Sequence, residues 1–297
     1  MYYFTIRDIE NLCNIKAHTL RVWEQRYDFF KPKRKESKHR VYDNEDLKQL
    51  LRISFLYHQG WKVSRLSQLT PEQALNEVHQ YQEGKGAFDY FINQLLERAI
   101  DFDKDGFEQL LTGIIQNIGF EMCIEKVAYP LLNKIGMLWM TNHVIPAQEH
   151  FCSYIIQHKI IAHTDGLPMP DSSAPQIVLF CPHGEYHELP LFYINYLLKK
   201  WGWITFYLGS DVSIDLLKPF NDSAQIKYLF LHLITNFTGF GMDDYFEKLC
   251  KTFPQKTIVA TGQAVFGLQR QFTNLIILKK DENILQFIKT KNASKPF

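Results

Sequence analysis

His18-Thr19-Leu20-Arg21-Val22-Trp23-Glu24-Gln25-Arg26-Tyr27 is the stretch whose reading decides the front of this chain. Leu20 and Trp23 stand three residues apart, so they share one face of a helix, and Thr19, Arg21 and Gln25 turn outward. Upstream, Thr5 is a capping residue with Asp8 in the first turn, which predicts a short helix burying Ile9 and Leu12. A turn at Cys13-Asn14 separates the two helices, the second running from about Lys16 to Tyr27. Residues 28–41 then break the pattern with Pro32 among Lys31, Lys33, Arg34, Lys35, Lys38 and Arg40. Asn44 opens a third helix with Leu47, Leu50, Leu51 and Ser54 at helical spacing, and Gly60 ends it. A short fourth helix follows near Val63–Leu69. Helix, turn, helix and basic loop is a winged helix-turn-helix pattern.

Charge points the same way. The 297 residues carry a net charge of +1, which hides an asymmetry. Residues 1–70 hold 14 Lys/Arg and 8 Asp/Glu, a net of 14 − 8 = +6, and the rest hold 19 and 24, a net of 19 − 24 = −5. A basic head on an acidic body suits a polyanion such as double-stranded DNA, where a helix enters the major groove and flanking cations release counterions. The length implies two or three domains. With 46% hydrophobic and 22% charged residues, long disorder is excluded. No apolar run approaches the roughly 18–20 residues of a membrane span, and the first residues lack signal-peptide features, so the expected location is cytoplasmic. The five cysteines form no CxxC, so we expect buried thiols rather than a zinc site or disulfides.

The rest of the chain divides by periodicity. Residues 71–87 are polar and end at Gly84-Lys85-Gly86, which reads as a linker with at most one helical piece. Residues 88–164 are helical almost throughout, with helices near 88–100, 103–117, 121–140 and 147–164; Pro130 starts or kinks one of them. This predicts a four-helix bundle. Residues 165–176, rich in Pro, Ser and Gly, read as a second linker. From 177 to 297 short apolar runs (177–181, 204–208, 228–233, 258–260 and 275–278) alternate with helices, which predicts a doubly wound parallel sheet. The fold class is therefore multidomain α and α/β: winged helix-turn-helix at 1–70, bundle at 88–164, and a Rossmann-like (flavodoxin-like) domain at 177–297.

Two segments of the head carry a family resemblance. His18–Tyr27 resembles the recognition helix of MerR-type transcription regulators, and Lys38-His39-Arg40-Val41-Tyr42-Asp43-Asn44-Glu45-Asp46-Leu47 resembles that family's wing end and next helix. The resemblance implies DNA contacts from Thr19, Arg21, Arg26 and Tyr27 on the helix and from His39, Arg40 and Tyr42 on the wing. Trp23 and Glu24 read as structural. It also implies a homo-oligomer, dimer or tetramer, on promoter DNA. Glu36-Ser37-Lys38 stands where family members carry a glycine or Gly/Asn turn.

A second resemblance lies farther on. Trp139 to His150 and Gly184-Glu185-Tyr186-His187-Glu188-Leu189-Pro190 look like the cobalamin-binding unit of MerR-type photoreceptor repressors, a unit shared with cobalamin-dependent methyltransferases. It implies cobalamin as cofactor, with His187 as the axial cobalt ligand, Glu185 or a backbone group orienting its other ring nitrogen, Trp139 over the upper corrin face, and Glu149 and His150 toward the upper ligand. His187 follows the first strand of the α/β domain, where open sheets bind ligands. Four positions depart from that family's pattern. Pro190 replaces a loop glycine, His232 a small Ser or Thr beside the nucleotide tail, Thr261 one of two glycines, and Met140 the histidine that captures cobalt after photolysis.

The function expected is a DNA-binding regulator whose C-terminal module senses a corrinoid and changes oligomeric state or DNA affinity. Two alternatives stay open: a sensor fold that binds no cobalamin, and a corrinoid methyl-carrier component, which would not need the basic head. The chain has no Walker A, GxGxxG or GxSxG motif, so we expect no enzyme.

Overall fold

The computed structural model describes residues 3–27, 33–34, 40–84, 86–139, 146–235 and 241–290. They fall into two compact units, Met1–Ile156 and Gln157–Phe297.

The first unit begins with strand β1 (Phe4–Thr5) and helix α1 (Ile6–Cys13). Thr5 caps α1 through a capping box with Asp8, and Asn14 ends it in the left-handed region at φ 51°. Helix α2 (Ala17–Tyr27) follows, then β2 (Lys33–Arg34), β3 (Arg40–Tyr42), α3 (Asn44–His58) and α4 (Val63–Leu66). The three strands form an antiparallel sheet in the order β1-β3-β2. Ile9, Leu12, Leu20, Trp23, Leu47 and Leu51 are buried together, and Trp23 meets Tyr57 edge-on at 4.9 Å. This is the winged helix-turn-helix the spacing predicts.

The polar stretch after it is ordered. Residues Pro71–His79 form α5, with a Thr70–Gln73 capping box and Pro71 in the first turn, where a missing N–H is harmless. Ala74 and Val78 bury its inner face, and α5 packs on α3. Next come α6 (Ala87–Ile100), α7 (Lys104–Ile118), α8 (Phe120–Cys123), a π-helical turn (Ile124–Ala128), α9 (Tyr129–Trp139) and α10 (Pro146–Asp165). The π turn ends two residues before Pro130, whose ring nitrogen has no proton for the regular ladder. Head and helical block share one interior: α1 packs on α9 and α3 on α6. Arg52 of α3 reaches Glu97 of α6 with two bonds, Nε to Oε1 at 3.0 Å and Nη2 to Oε2 at 2.5 Å. Lys48 reaches Asp101 at 2.7 Å.

The second unit holds a five-stranded parallel sheet: β4 (Gln176–Phe180), β5 (Ile204–Tyr207), β6 (Ile226–His232), β7 (Thr257–Thr261) and β8 (Leu275–Ile277). The order β5-β4-β6-β7-β8 is that of the flavodoxin-like doubly wound sheet. Helices α11 (Leu189–Lys200), α12 (Met242–Thr252) and α13 (Asp281–Thr290) cover it, with a 3-10 helix at Ile214–Phe220. The central strands are apolar on both faces, as a sheet covered on both sides requires. Trp203 is fully buried and donates from Nε1 to the Ile288 carbonyl at 2.9 Å.

All five cysteines are buried and free. Among the described residues, no helix is long and apolar enough to cross a membrane, and no group of three or more His, Cys, Asp or Glu is placed to hold a metal ion.

Candidate functional site

In the head, α2 turns Leu20 and Trp23 inward and leaves Arg21 and Arg26 exposed, with Thr19 and Tyr27 half-buried. Four of the residues read as DNA contacts thus lie on one helix beside the wing. On the wing, Arg40 is engaged within the protein: its Nε donates to Glu24 Oε2 at 2.6 Å. Tyr42 corrects the sequence reading. It is 1% exposed, so its ring is core, and burial pushes its hydroxyl up to about 12. Both faces of this short strand are covered: Val41 and Tyr42 are both buried where β3 packs on α1 and α3. His39 lies outside the described residues. Lys33 of β2 is held by the N-cap carboxylate of α3, Asp43, so that helix end also anchors the wing.

In the helical block, Glu149 and His150 stand in the first turn of α10, their side chains 3.5 Å apart and His150 exposed. The next residue, Phe151, packs edge-on against Phe102 and Phe107. Trp139 is the last residue of α9, but its side chain lies outside the described set, as does Met140.

In the second unit, Glu185 and His187 come together in the loop between β4 and α11. Glu185 is fully buried. Its Oε1 accepts from the His187 backbone at 3.0 Å and from His187 Nδ1 at 2.5 Å. Its Oε2 accepts from the Ile234 and Thr235 amides, each at 2.8 Å, and from Thr235 Oγ1 at 3.0 Å. Burial alone would raise this carboxyl, but the hydrogen bonds from His187 and Thr235 outweigh it and hold the group at about 2. An ionised Glu185 fixes the His187 tautomer: Nδ1 carries the proton and Nε2 the lone pair. That is the arrangement by which a carboxylate orients a metal-ligating imidazole.

The same loop is pinned at two other points. Asp211, itself at φ 59°, accepts from the Gly184 amide at 2.9 Å and contacts His183 Nδ1 at 2.7 Å. Tyr207 donates to Glu188 at 3.1 Å. The sequence reading singled out neither Asp211 nor Thr235; Gly209-Ser210-Asp211 is a turn signal, and nothing local in Thr235 advertises a partner fifty residues away. Pro190 falls in the first turn of α11, where it removes no helical bond, so the departure from glycine leaves the helix start intact.

His232 and Thr261 end β6 and β7 side by side. His232 Nδ1 lies 2.9 Å from Thr261 Oγ1, and its buried Nε2 has no hydrogen-bond partner among the described residues. Burial, with His187 adding to it and Glu185 opposing, brings His232 down to about 4, so the ring is neutral. A corrinoid would need an oriented axial nitrogen and room beneath the ring. His187 with Glu185 supplies the first, whereas His232 and Thr261 occupy space next to it.

Comparison with known proteins assigns the two segments. Residues 4–73 match the model of the MerR HTH family regulatory proteins, and residues 91–162 match that of the B12 binding domain. The HTH-type transcriptional repressor CarA of Myxococcus xanthus is 27% identical over 208 residues, 69% of this chain and 68% of that protein. The repressor CarH of the same organism is 21% identical over 268 residues, 88% and 89% of the two chains. In fold, the monomethylamine corrinoid protein of Methanosarcina barkeri superposes with a TM-score of 0.52 at 10% identity, over 69% of this chain and 99% of that one. The chain thus carries a segment that matches the MerR helix-turn-helix family, followed by a segment that matches the B12 binding domain.

Proposed function

We propose that this protein is a transcriptional regulator that binds promoter DNA as a homo-oligomer and responds to a corrinoid through its C-terminal half, by a change of oligomeric state or of DNA affinity. The observation that carries the reading is the Glu185–His187 pair at the carboxyl end of β4, in a chain whose head exposes Arg21 and Arg26 on a helix beside a wing. The head's part is electrostatic and steric: α2 enters the major groove, and the two arginines meet phosphates or base edges. Glu185 keeps His187 in the tautomer that offers Nε2. Asp211, Thr235 and Tyr207 hold the loop so that this offer costs little reorganisation. A bound corrinoid would supply a cobalt centre whose ligation links binding to the loop. A switch follows only if the corrinoid prefers one assembly or one DNA-bound form over the other.

The test has two arms. Adenosyl-, methyl- and hydroxocobalamin and the base-free cobinamide are added in the dark, unbound ligand is removed, and the visible spectrum is read. Retained corrinoid whose spectrum changes in His187→Ala supports the reading. Operator affinity is then compared with and without the retained corrinoid at fixed salt. Operator binding that persists with no corrinoid retained favours the second reading, a regulator whose sensor fold binds none. That reading is supported by the His232–Thr261 contact.

A further inference from the structure

The ends of β6 and β7 bear on which corrinoid fits, an inference that rests on the function proposed above. Cobalamin carries its own nitrogen base on a nucleotide arm that hangs from the lower face of the ring. A protein histidine that takes the cobalt from that face displaces the base. The displaced arm stays tethered to the same face, so it must lie beside the histidine, against the protein.

Beside His187 that space is taken. Glu185 is buried, and the amides of Ile234 and Thr235 close over it. Next to them His232 is 9% exposed and Thr261 1% exposed. Their side chains bond to each other, and Thr261 Oγ1 donates onward to the Leu231 carbonyl at 3.3 Å. The hydroxyl proton thus faces Leu231, and His232 donates its Nδ1 proton to Thr261. The strands do not part beyond this point. The Leu233 amide bonds to the Thr261 carbonyl at 2.9 Å, and the Ala264 amide to the Leu233 carbonyl at 3.2 Å. Gly262, at φ 99°, lies so near that a Cβ there would stand 2.2 Å from the Leu233 oxygen. Among the described residues these bonds join the two strand ends, and an imidazole sits beside the join.

We propose that His232, with Thr261, acts as a specificity determinant that shuts out the nucleotide arm, so that the site takes corrinoids lacking it, with His187 on the cobalt. The ligand class is the cobinamides: the corrin ring with its amide side chains and no lower base. Among the described residues the bond to Thr261 and the surrounding packing hold the His232 ring in place, and Nε2 has no partner there.

The full-length protein is titrated in the dark with hydroxocobalamin, which has the arm, and with diaquocobinamide, which lacks it, and visible spectra are read. The unmodified protein should bind cobinamide about tenfold or more tightly than cobalamin, with a spectral shift that His187→Ala removes. His232→Ser should raise cobalamin affinity and leave cobinamide affinity unchanged. If that variant does not fold, His232→Asn retains a donor toward Thr261 in a smaller side chain and replaces it. Cobalamin bound as tightly as cobinamide by the unmodified protein overturns the inference and leaves the corrinoid reading standing. An unchanged ratio in a folded His232 variant does the same. Retention of neither corrinoid overturns both.

Discussion

Two buried glutamates, one in each unit, show how differently a fold uses a carboxylate. Glu97 on α6 is held by a full cation, the Arg52 guanidinium, in a two-bond pair that joins the DNA-binding head to the helical block. Among the described residues Glu185 meets no lysine or arginine; it accepts from two backbone amides of a distant loop, one threonine hydroxyl, and the backbone and ring of His187. A carboxylate locked to arginine has one task, which is to hold two helices in register. A carboxylate held by neutral donors keeps its charge to polarise the imidazole it hydrogen-bonds. The first arrangement builds a scaffold, the second prepares a side chain for something else.

The sharpest way to break this comparison is to remove the cation from the first pair. Arg52→Ala leaves Glu97 largely buried without its partner and should cost about 3 kcal/mol or more, read as a shift of the urea midpoint of the first unit. Replacing both residues by leucine should restore most of that loss, because the pair's desolvation penalty goes with it. If the double variant is no better than the single one, the pair is not what Glu97 depends on.

The corresponding change in the second unit is Glu185→Gln. An amide keeps one acceptor but turns an NH2 toward groups that themselves donate, so about 1–3 kcal/mol of local stability should go. The more telling readout is nitrogen NMR of His187. In the unmodified protein the proton should sit on Nδ1. In the variant the tautomer should shift toward Nε2–H, and a proton that stays on Nδ1 would show that something other than Glu185 orients the ring.

A third prediction concerns pH. His232 titrates at about 4 in the folded chain, against an ordinary 6.5. The folded state therefore resists protonation where the unfolded state accepts it. Stability from this group is full above about pH 6.5 and is lost as pH falls toward 4, about 2 kcal/mol of it between pH 7 and pH 5. Glu185, held at about 2 against an ordinary 4.5, loses its contribution only below that window, so the two can be told apart. The protection factors of the β6 amides, which take out the intrinsic slowing of exchange at lower pH, should fall between pH 7 and 5 in the unmodified protein but not in His232→Ser.

Much of the architecture was legible from spacing alone. Leu20 and Trp23, or Leu47, Leu50 and Leu51, announce helices because burial on one face of a helix imposes that period, and the apolar runs of β4, β6 and β7 announce strands covered on both sides. Segment 71–79 was harder. It is polar, yet Thr70, Pro71 and Gln73 cap it, and only Ala74 and Val78 are needed to dock it. The site was legible in part. Glu185 and His187 are two residues apart, so their meeting is local, whereas Thr235, Asp211 and Thr261 reach the loop or His232 across 27 to 50 residues. Such partners follow from strand order, which only the assembled sheet supplies. Tyr42 failed for a related reason: Val41 and Tyr42 are buried on opposite faces of a three-residue strand, so no alternation marks them as core.

That failure sharpens the smallest effect, which lies in the head. The family resemblance ranks Arg21 and Arg40 together as DNA contacts, but the structure treats them differently. Arg21 is exposed on α2, and Arg40 is bonded to Glu24, a residue of the same helix. An exposed arginine is available to DNA, so Arg21→Ala should weaken operator binding by about tenfold and reduce the salt slope by about one counterion. Arg40 must first give up a carboxylate, or keep it and act by holding wing to helix. Arg40→Ala should therefore cost less, about threefold, with little change in salt slope, since the positive charge it removes was already offset by Glu24. Glu24→Gln separates these roles. If Arg40 serves DNA directly, releasing it should tighten operator binding; if it positions the wing, affinity should fall with the slope unchanged, and the second result is the one expected.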